Sequence, residues 1–178
     1  DAEGRRTLWV DRGGRTNRYA YDALGRLTRT TCADGAATEN IYDGAGRLRQ
    51  VVQHPVPPAA PGTPVSGRST DYGYDAAGRR TSVTDALDQT TRFAYDANGN
   101  QTNTVDALLR TNAFVYDALN RRVQHRFPDQ TTELTAYDAL DRRIAVTNQA
   151  NVVTRFGYDA LGRLVAVTNA FGTAEQMV

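Results

Sequence analysis

The heptapeptide Tyr-Asp-Ala-Leu-Gly-Arg-Leu occupies residues 21–27 and again residues 158–164, and looser copies of it run through the chain. Tyr-Asp pairs begin at positions 21, 42, 74, 95, 116, 137 and 158, so that five of the six spacings are 21 residues and one is 32. The long spacing equals one period plus an insertion of 11 residues. A fixed period of this length is the signature of a repeat architecture. We therefore interpret residues 1–178 as a single tandem array.

A second, weaker marker lies half a period away from each Tyr-Asp pair. An Asp or Asn stands ten residues before most tyrosine positions, whereas Cys32 and Phe127 take that place twice, with Asp34 and Asp129 two residues later. The Asp and Asn markers are Asp11, Asp85, Asp106, Asn148 and Asn169. Turn signals at alternating intervals of 10 and 11 residues predict short strands joined by hairpins.

Turn chemistry explains which residue types recur. The carboxylate of Asp22 can accept backbone N–H bonds from the residues that follow it, and Gly25 can adopt a positive φ. Asn and Asp, which tolerate that conformation best among the other residues, replace glycine twice. The predicted turn motif comprises Tyr21, Asp22, Gly25, Tyr42, Asp43, Gly46, Tyr74, Asp75, Gly78, Tyr95, Asp96, Gly99, Tyr116, Asp117, Asn120, Tyr137, Asp138, Asp141, Tyr158, Asp159 and Gly162. In the second turn family the fourth position holds Gly14, Asp88, Asn151 and Gly172, but Leu109 breaks the rule, and we expect its turn to be different or strained.

The segments between the turns have the pattern of strands. Aromatic residues stand two apart before the turns, as in Tyr19 and Tyr21 or Phe114 and Tyr116, which places them on one face of a sheet. No helical period extends over ten or more residues. We predict an all-β fold of tandem antiparallel hairpins with roughly sixteen strands of about six residues each. Strand twist would make so wide a sheet curl or spiral.

Residues 53–67 form a proline-rich insertion that we predict to be an extended loop at a hairpin end. Five of the six prolines fall within it, and proline cannot donate to a sheet ladder. Pro55, Pro58, Pro61 and Pro64 are three apart, which also suits a polyproline II peptide ligand. A plain exposed loop is the interpretation we favour.

Composition excludes several classes of partner. The net charge is +1, with 21 Arg and no Lys, which gives no electrostatic basis for binding nucleic acid or an anionic membrane. No apolar run is long enough to span a bilayer. The single cysteine forbids an intrachain disulfide. Because Asp1 is not a translation start, we expect the chain to be a segment of a larger protein.

The arginines that follow the turns, and a few isolated residues, invite other interpretations. A basic row is one, but we favour pairing with Asp residues of adjacent turns or stacking over Tyr rings for Arg26, Arg47, Arg79, Arg121, Arg142 and Arg163. Asp96–Asn100 resembles a calcium loop, yet the glutamate that such loops need is absent. His54, His125 and Cys32 have no repeated partner that would make them a base, ligand or nucleophile. The aromatic rows could stack on sugars, although cross-strand packing explains them. We predict no catalytic residue, no metal and no cofactor.

The repeated Tyr-Asp-x-x-Gly-Arg-Leu unit resembles the YD repeat of the Rhs family over the whole chain. That family includes bacterial polymorphic toxins, cocoon components of Tc toxins, wall-associated proteins and teneurins. This sequence departs from the pattern at Asn100, which replaces the arginine, and at Arg80, Gln101, Arg122 and Arg143, which replace the leucine. The resemblance implies a hairpin strip that spirals into a hollow shell. The family's self-cleaving core has no match here.

The resemblance supports two functions. The first is a structural, non-enzymatic shell segment of an exported bacterial protein, secreted or on the cell surface. Its partners would be the remainder of its own repeat shell and an enclosed C-terminal toxin domain, without insertion into a membrane by this segment. The second is a cell-surface adhesion or recognition scaffold that could bind a glycan. An enzyme acting on polysaccharide is disfavoured, because no carboxylate pair departs from the turn pattern.

Overall fold

The prediction of an all-β fold is confirmed. The computed structural model describes residues 1–55 and 67–169 and the backbone of residues 174–176. Every regular element in those ranges is a strand, so the part of the chain that the structure describes contains no helix that could cross a membrane. The strands run Leu8–Val10 (β1), Thr16–Tyr21 (β2), Leu27–Thr31 (β3), Ala37–Tyr42 (β4), Leu48–His54 (β5), Arg68–Tyr74 (β6), Arg80–Thr84 (β7), Thr90–Tyr95 (β8), Gln101–Val105 (β9), Thr111–Tyr116 (β10), Arg122–Arg126 (β11), Thr132–Tyr137 (β12), Arg143–Thr147 (β13), Val153–Tyr158 (β14), Leu164–Thr168 (β15) and Ala174–Gln176 (β16).

Strand order in the sheet follows chain order from β1 to β16, and the pairing is antiparallel. The 21-residue period therefore corresponds to two strands and two turns. Each hairpin closed by a Tyr-Asp turn has a register shift at the tyrosine, for example between Val115 and Tyr116. The shift is the bulge expected where a type I turn ends in a residue of positive φ.

The chain divides into two compact units, Asp1–Thr91 and Arg92–Val178. In the first unit, Tyr19 pairs with Thr30 and Tyr72 pairs with Val83, so ring and β-branched side chains share one face. In the second unit, Phe156 pairs with Val167 on the equivalent face. Such cross-strand pairs stabilise a sheet by roughly 0.2–1 kcal/mol each.

Few side chains are removed from solvent. Ala37, with 5% of its surface exposed, is the one buried hydrophobic residue among those that the structure describes. Most strand positions are half-buried on both faces. A sheet of this kind cannot rely on a deep core, so contacts between neighbouring strands and between neighbouring turns must supply its stability.

The insertion begins later than the sequence suggested. Gln53 and His54, which we assigned to the loop, belong to β5 and pair with Thr38 and Ala37 of β4. The error arose because proline restricts the backbone only from Pro55 onward, and the two residues before it can still donate and accept ladder bonds. Residues 56–66, with the prolines of the polyproline interpretation after Pro55, lie outside the described residues.

Candidate functional site

The Tyr-Asp turns share one hydrogen-bond pattern. In the first complete copy, Asp22 Oδ1 accepts the backbone N–H groups of Leu24 and Arg26, both at 2.9 Å. Gly25 donates its N–H to the Asp22 carbonyl at 3.0 Å and has a φ of 78°. The carboxylate thus holds the tip of the turn, and the residue after the tip closes it.

All seven fourth positions of the predicted motif have a positive φ. They are Gly25, Gly46, Gly78, Gly99, Asn120, Asp141 and Gly162. In the second turn family Gly14, Asp88 and Asn151 have it too, whereas Gly172 lies outside the described residues. For the turn at Leu109 we expected a different geometry or slight strain, and the structure shows the strain in a turn of otherwise ordinary pattern. Leu109 donates to the Asp106 carbonyl at 2.9 Å like its counterparts, and it accepts a φ of 62° that is unfavourable for a leucine.

Where an arginine follows a Tyr-Asp turn, the aspartate of the same turn binds it. In the Asp22 turn, Arg26 Nε donates to Asp22 Oδ2 at 2.7 Å. We expected pairing with Asp residues of adjacent turns or stacking over Tyr rings. The pairing is wrong for most copies, because four residues of a tight turn already bring the two side chains together, whereas the stacking is confirmed for Arg26, Arg47, Arg121 and Arg142. The same-turn pairs in the Tyr-Asp turns are Asp22–Arg26, Asp43–Arg47, Asp75–Arg79, Asp117–Arg121, Asp138–Arg142 and Asp159–Arg163, and Asp1–Arg5 forms the same pair at the start of the chain. Arg121 also contacts the next turn, at Asp141 Oδ1.

The same guanidinium groups stack on the tyrosine of the following repeat. Distances from the guanidinium carbon to the ring centroid are 4.5 to 5.0 Å for Arg5 over Tyr21, Arg26 over Tyr42, Arg47 over Tyr74, Arg121 over Tyr137 and Arg142 over Tyr158. This is cation–π geometry. We call the Asp and Arg of one turn, together with the Tyr of the next, a junction.

The hydroxyl groups of six tyrosines of the Tyr-Asp pairs each make a bond that the sequence analysis missed. Tyr42 donates its hydroxyl hydrogen to the carbonyl oxygen of Leu27 at 2.9 Å. The same bond joins Tyr21 to Arg6, Tyr74 to Leu48, Tyr116 to Gln101, Tyr137 to Arg122 and Tyr158 to Arg143. In five of these six bonds the tyrosine lies 15 residues after its partner, a constant spacing that could have indicated the bond from the sequence. For Tyr74 the separation is 26, because the insertion intervenes. The insertion therefore leaves the junction geometry intact.

The contacts of the junction lower the pKa of its aspartates. The Arg26 backbone N–H and the Arg26 guanidinium hold the pKa of Asp22 below its ordinary value. For Asp117 the larger cause of the lowered pKa is the Arg121 side chain, and the pKa of Arg121 is raised in turn. The hydrogen bonds thus favour the ionised carboxylate. At neutral pH it carries no proton to donate, and its lowered pKa makes it a weak base.

His125, which sequence analysis considered as a base or ligand, lies in a packed environment on the sheet. His125 packs between the rings of Phe114 and Phe127, with centroids 4.7 and 3.8 Å away. Its Nε2 lies 2.9 Å from Asn112 Oδ1. Burial, followed by the Arg122 charge, lowers the pKa of His125, although Glu133 acts in the opposite direction.

Cys32 and His54 line one shallow depression of the first unit. His54 Nε2 lies 3.2 Å from Glu39 Oε2, so the imidazole is already engaged by a carboxylate. Cys32 is a free, exposed thiol. Among the described residues no group of three or more His, Cys, Asp or Glu could hold a metal ion, and Asp96 of the calcium-like segment bonds Asn100.

Comparison with known proteins gives one family. The RHS repeat model matches residues 1–37, 63–90, 74–111 and 137–174, whereas no curated protein matches the chain.

Similar solved structures belong to Tc toxins. A crystal structure of TcdB2–TccC3–Cdc42 shares 17% identity, with a TM-score of 0.67 over 88% of this chain and 9% of the other. TcdB2–TccC3 without its hypervariable C-terminal region shares 16% identity, with a TM-score of 0.59 over 96% of this chain and 11% of the other. The Tc holotoxin pore of Photorhabdus luminescens shares 17% identity, with a TM-score of 0.59 and the same coverages of 96% and 11%.

These likenesses concern the fold, and the chain spans about a tenth of the length of those structures. The family match covers more than half of the chain, and each matched range contains at least one Tyr-Asp turn of the repeat described above. The chain belongs to the RHS repeat family.

Proposed function

We propose that the chain is a non-enzymatic wall segment of a shell that encloses a C-terminal toxin domain in an exported bacterial protein. The observation that carries this proposal is the junction, which within each unit ties successive repeats together through an ion pair, a stacked ring and a backbone hydrogen bond, with Asn100 as the exception that lacks the arginine. The partners would be the rest of the repeat shell and the enclosed domain. The place of action would be outside the cytoplasm, in a secreted or surface-bound assembly.

The physical argument concerns what a wall must do. A wall excludes water and proteases when its strands are paired on both sides and its repeats cannot separate. The junction opposes separation at the turns, where hairpins would otherwise fray. Contacts such as Arg47 Nη1 to the Asp75 carbonyl, at 3.0 Å, link consecutive turns even across the insertion.

The nature of the exposed surface agrees with this role. Charged side chains at the turns are bound to one another instead of converging on a cleft, as in Arg142 Nε to Asp138 Oδ2 at 2.7 Å. The similar structures are Tc toxin complexes, and one of them was solved without its hypervariable C-terminal region. We propose that this protein likewise continues into a variable C-terminal domain, and that its repeats enclose that domain.

The test is protection of the C-terminal domain in the full-length polypeptide that carries these repeats. During limited proteolysis we expect that domain to survive at least ten times longer than the same domain expressed alone. Arg121→Asn with Arg142→Asn should shorten its lifetime, because two junctions are weakened. Arg155→Asn, which changes an exposed arginine of β14, is the matched control and should leave the lifetime unchanged.

Two results would contradict the proposal. Equal lifetimes for the enclosed and the free domain would exclude enclosure. Binding of the intact protein to cell-surface glycans without any protection would favour the alternative function, an adhesion or recognition scaffold.

A further inference from the structure

The Tyr-Asp turns of the second unit present a row of leucines that folding does not require. Leu119, Leu140 and Leu161 occupy the third position of three successive turns and are 63%, 72% and 78% exposed. That position makes no demand for an apolar residue, since Ala77 and Asn98 fill it in other turns. Single exposed leucines are ordinary, but a regular row of them indicates an interaction surface. We name these three residues the leucine row.

The turns hold the leucine row rigidly. The backbone N–H groups of Leu119, Leu140 and Leu161 each donate to the carboxylate of the turn aspartate at 2.9 Å. Successive leucines are separated by two strands, which corresponds to about 9.6 Å along the sheet edge. Because the backbone is fixed before any partner arrives, association would cost little ordering entropy.

The rim of the leucine row carries charges of both signs. The Asp141 side chain is 69% exposed beside Leu140, and the Arg163 side chain is 74% exposed beside Leu161. A copy of the row related by a twofold axis between these two turns would place Leu140 opposite the second copy's Leu161. The same rotation would bring Arg163 of each copy toward Asp141 of the other. Asp141 is bound by Arg121 and Arg163 by Asp159 within the chain, yet both side chains remain mostly exposed. Opposite charges would therefore face each other across such a contact.

We propose that the leucine row is an edge-to-edge contact for a second copy of the same row. A second array matches the roughly 9.6 Å interval because its own strand spacing sets it. The row is small beside the roughly 800 Å² per partner of a standard interface, so a single row should associate weakly and longer arrays more strongly. This inference is independent of the proposed function, because it concerns the sheet edge alone.

Sedimentation velocity of the chain over a hundredfold range of concentration tests the proposal. We expect the weight-average sedimentation coefficient to rise with concentration. Leu119→Ser, Leu140→Ser and Leu161→Ser combined should reduce the association constant at least tenfold while leaving the circular dichroism spectrum unchanged. Leu87→Ser with Leu108→Ser, which changes exposed leucines of the second turn family, should associate like the parent.

Three outcomes would overturn the proposal. The first is a parent chain that stays monomeric over the whole range. The second is unaltered association of the triple serine variant, and the third is an equal loss in the Leu87 and Leu108 control, which would indicate unspecific apolar contact.

Cross-linking tests the twofold arrangement in a Cys32→Ser background. A mixture of Leu140→Cys and Leu161→Cys chains should form a disulfide dimer at least five times faster than Leu140→Cys alone, because the proposed pairing joins unlike positions. Equal rates would overturn the arrangement. An amphipathic helix with leucine at every seventh position presents its leucines at intervals of about 10.5 Å. If the leucine row bound such a helix more tightly than a second copy of the row, the choice of partner would be overturned.

Discussion

Two junctions of the second unit use different chemistry at the same position. Arg121 donates through Nε to Asp117 Oδ2 at 2.7 Å and through Nη1 to Asp141 Oδ1 at 2.6 Å. It also bonds the Asp138 carbonyl at 3.0 Å, and its guanidinium lies 4.8 Å from the centroid of the Tyr137 ring. One side chain therefore binds its own turn, the next turn and the next tyrosine.

The preceding junction has Asn100 in place of the arginine. Asn100 Nδ2 donates to Asp96 Oδ2 at 2.9 Å and to Asn120 Oδ1 at 2.7 Å. Asn98 reinforces it by donating to Asn120 Oδ1 at 3.0 Å. Asparagine has no guanidinium to place over Tyr116, so an amide network takes over the contact between the turns.

The comparison separates the parts of a junction. Tyr116 donates to the Gln101 carbonyl at 2.9 Å, and Tyr137 donates to the Arg122 carbonyl at 3.4 Å, so the hydroxyl bond forms with or without the arginine. In both junctions the fourth turn residue, Asn120 or Asp141, accepts a hydrogen bond from the preceding turn. The fourth turn residue therefore has two roles: it adopts the positive φ that closes its own turn, and its side chain accepts the hydrogen bond between turns.

Low pH should reduce the stability of the chain more than any substitution below, because it protonates the aspartates of both junctions at once. The pKa of Asp96 is lowered mainly by the Asn100 side chain and that of Asp117 mainly by the Arg121 side chain. A depressed folded-state pKa gives stability that is complete above the unfolded value of 3.8 and is lost as pH falls through the folded value. We expect a Tm that is flat from about pH 7 to 5 and falls steeply below about pH 4.

Thermal unfolding monitored by circular dichroism at a series of pH values measures this loss. Asp117→Asn should fold and show a shallower acid transition, since Asn148 already makes the same backbone bonds in its own turn. A Tm that did not change between about pH 5 and pH 2 would disprove the contribution of the turn carboxylates.

Removal of the tyrosine ring should have the next largest effect. Tyr137→Ala loses packing, the hydroxyl bond and the stacked guanidinium, whereas Tyr116→Ala loses only the first two. We expect about 2 kcal/mol of destabilisation for Tyr116→Ala and up to about 1 kcal/mol more for Tyr137→Ala. Urea unfolding measures both, and a larger loss for Tyr116→Ala would contradict our account of the arginine.

Exchange of the two junction side chains should have a smaller effect. Arg121→Asn should lower the Tm by about 2–4 °C, because stacking and two turn contacts are lost. Asn100→Arg with Asn120→Asp rebuilds the arrangement of Arg121 and Asp141 and should raise the Tm by about the same amount. Asn100→Arg alone is the control, and it should gain less, since it breaks the amide network without supplying the carboxylate.

The smallest effect should come from Leu109→Gly, which changes the turn at the far end of β9 and β10 and leaves both junctions untouched. Leu109 has a φ of 62° and is 75% exposed, so glycine relieves strain and costs little packing. We expect a gain of about 0.5–1 kcal/mol in the free energy of unfolding. A loss would indicate that Leu109 makes contacts that its exposure does not suggest.

Much of the fold could be predicted because the repeat is strictly local in its chemistry. Asp22 and Gly25 specify their turn within four residues, and the alternation of Tyr19 and Tyr21 specifies a strand face. The positive φ of Asn120 and Asp141 followed from the same logic. The end of β5 was misjudged at Gln53 because its partner in β4 lies 15 residues earlier.

The junction itself was harder to predict. For Arg26, sequence analysis offered stacking over a Tyr ring or pairing with an Asp of an adjacent turn. The structure shows the stacking, on Tyr42, together with an ion pair to Asp22 of the same turn that we did not predict. The hydroxyl bond from Tyr42 to Leu27 gave no compositional signal, because a backbone carbonyl accepts it.

By itself the sequence determined the repeat, the turns and the antiparallel sheet, since each depends on residues a few positions apart. Only the tertiary structure decided which side chains meet across repeats. Those contacts depend on the stacking of one hairpin on the next, and twist and register set the distance between an arginine and a tyrosine 16 positions later. The 11-residue insertion separates Arg47 and Tyr74 further in sequence yet leaves them 4.9 Å apart, because the sheet and not the chain length brings them together.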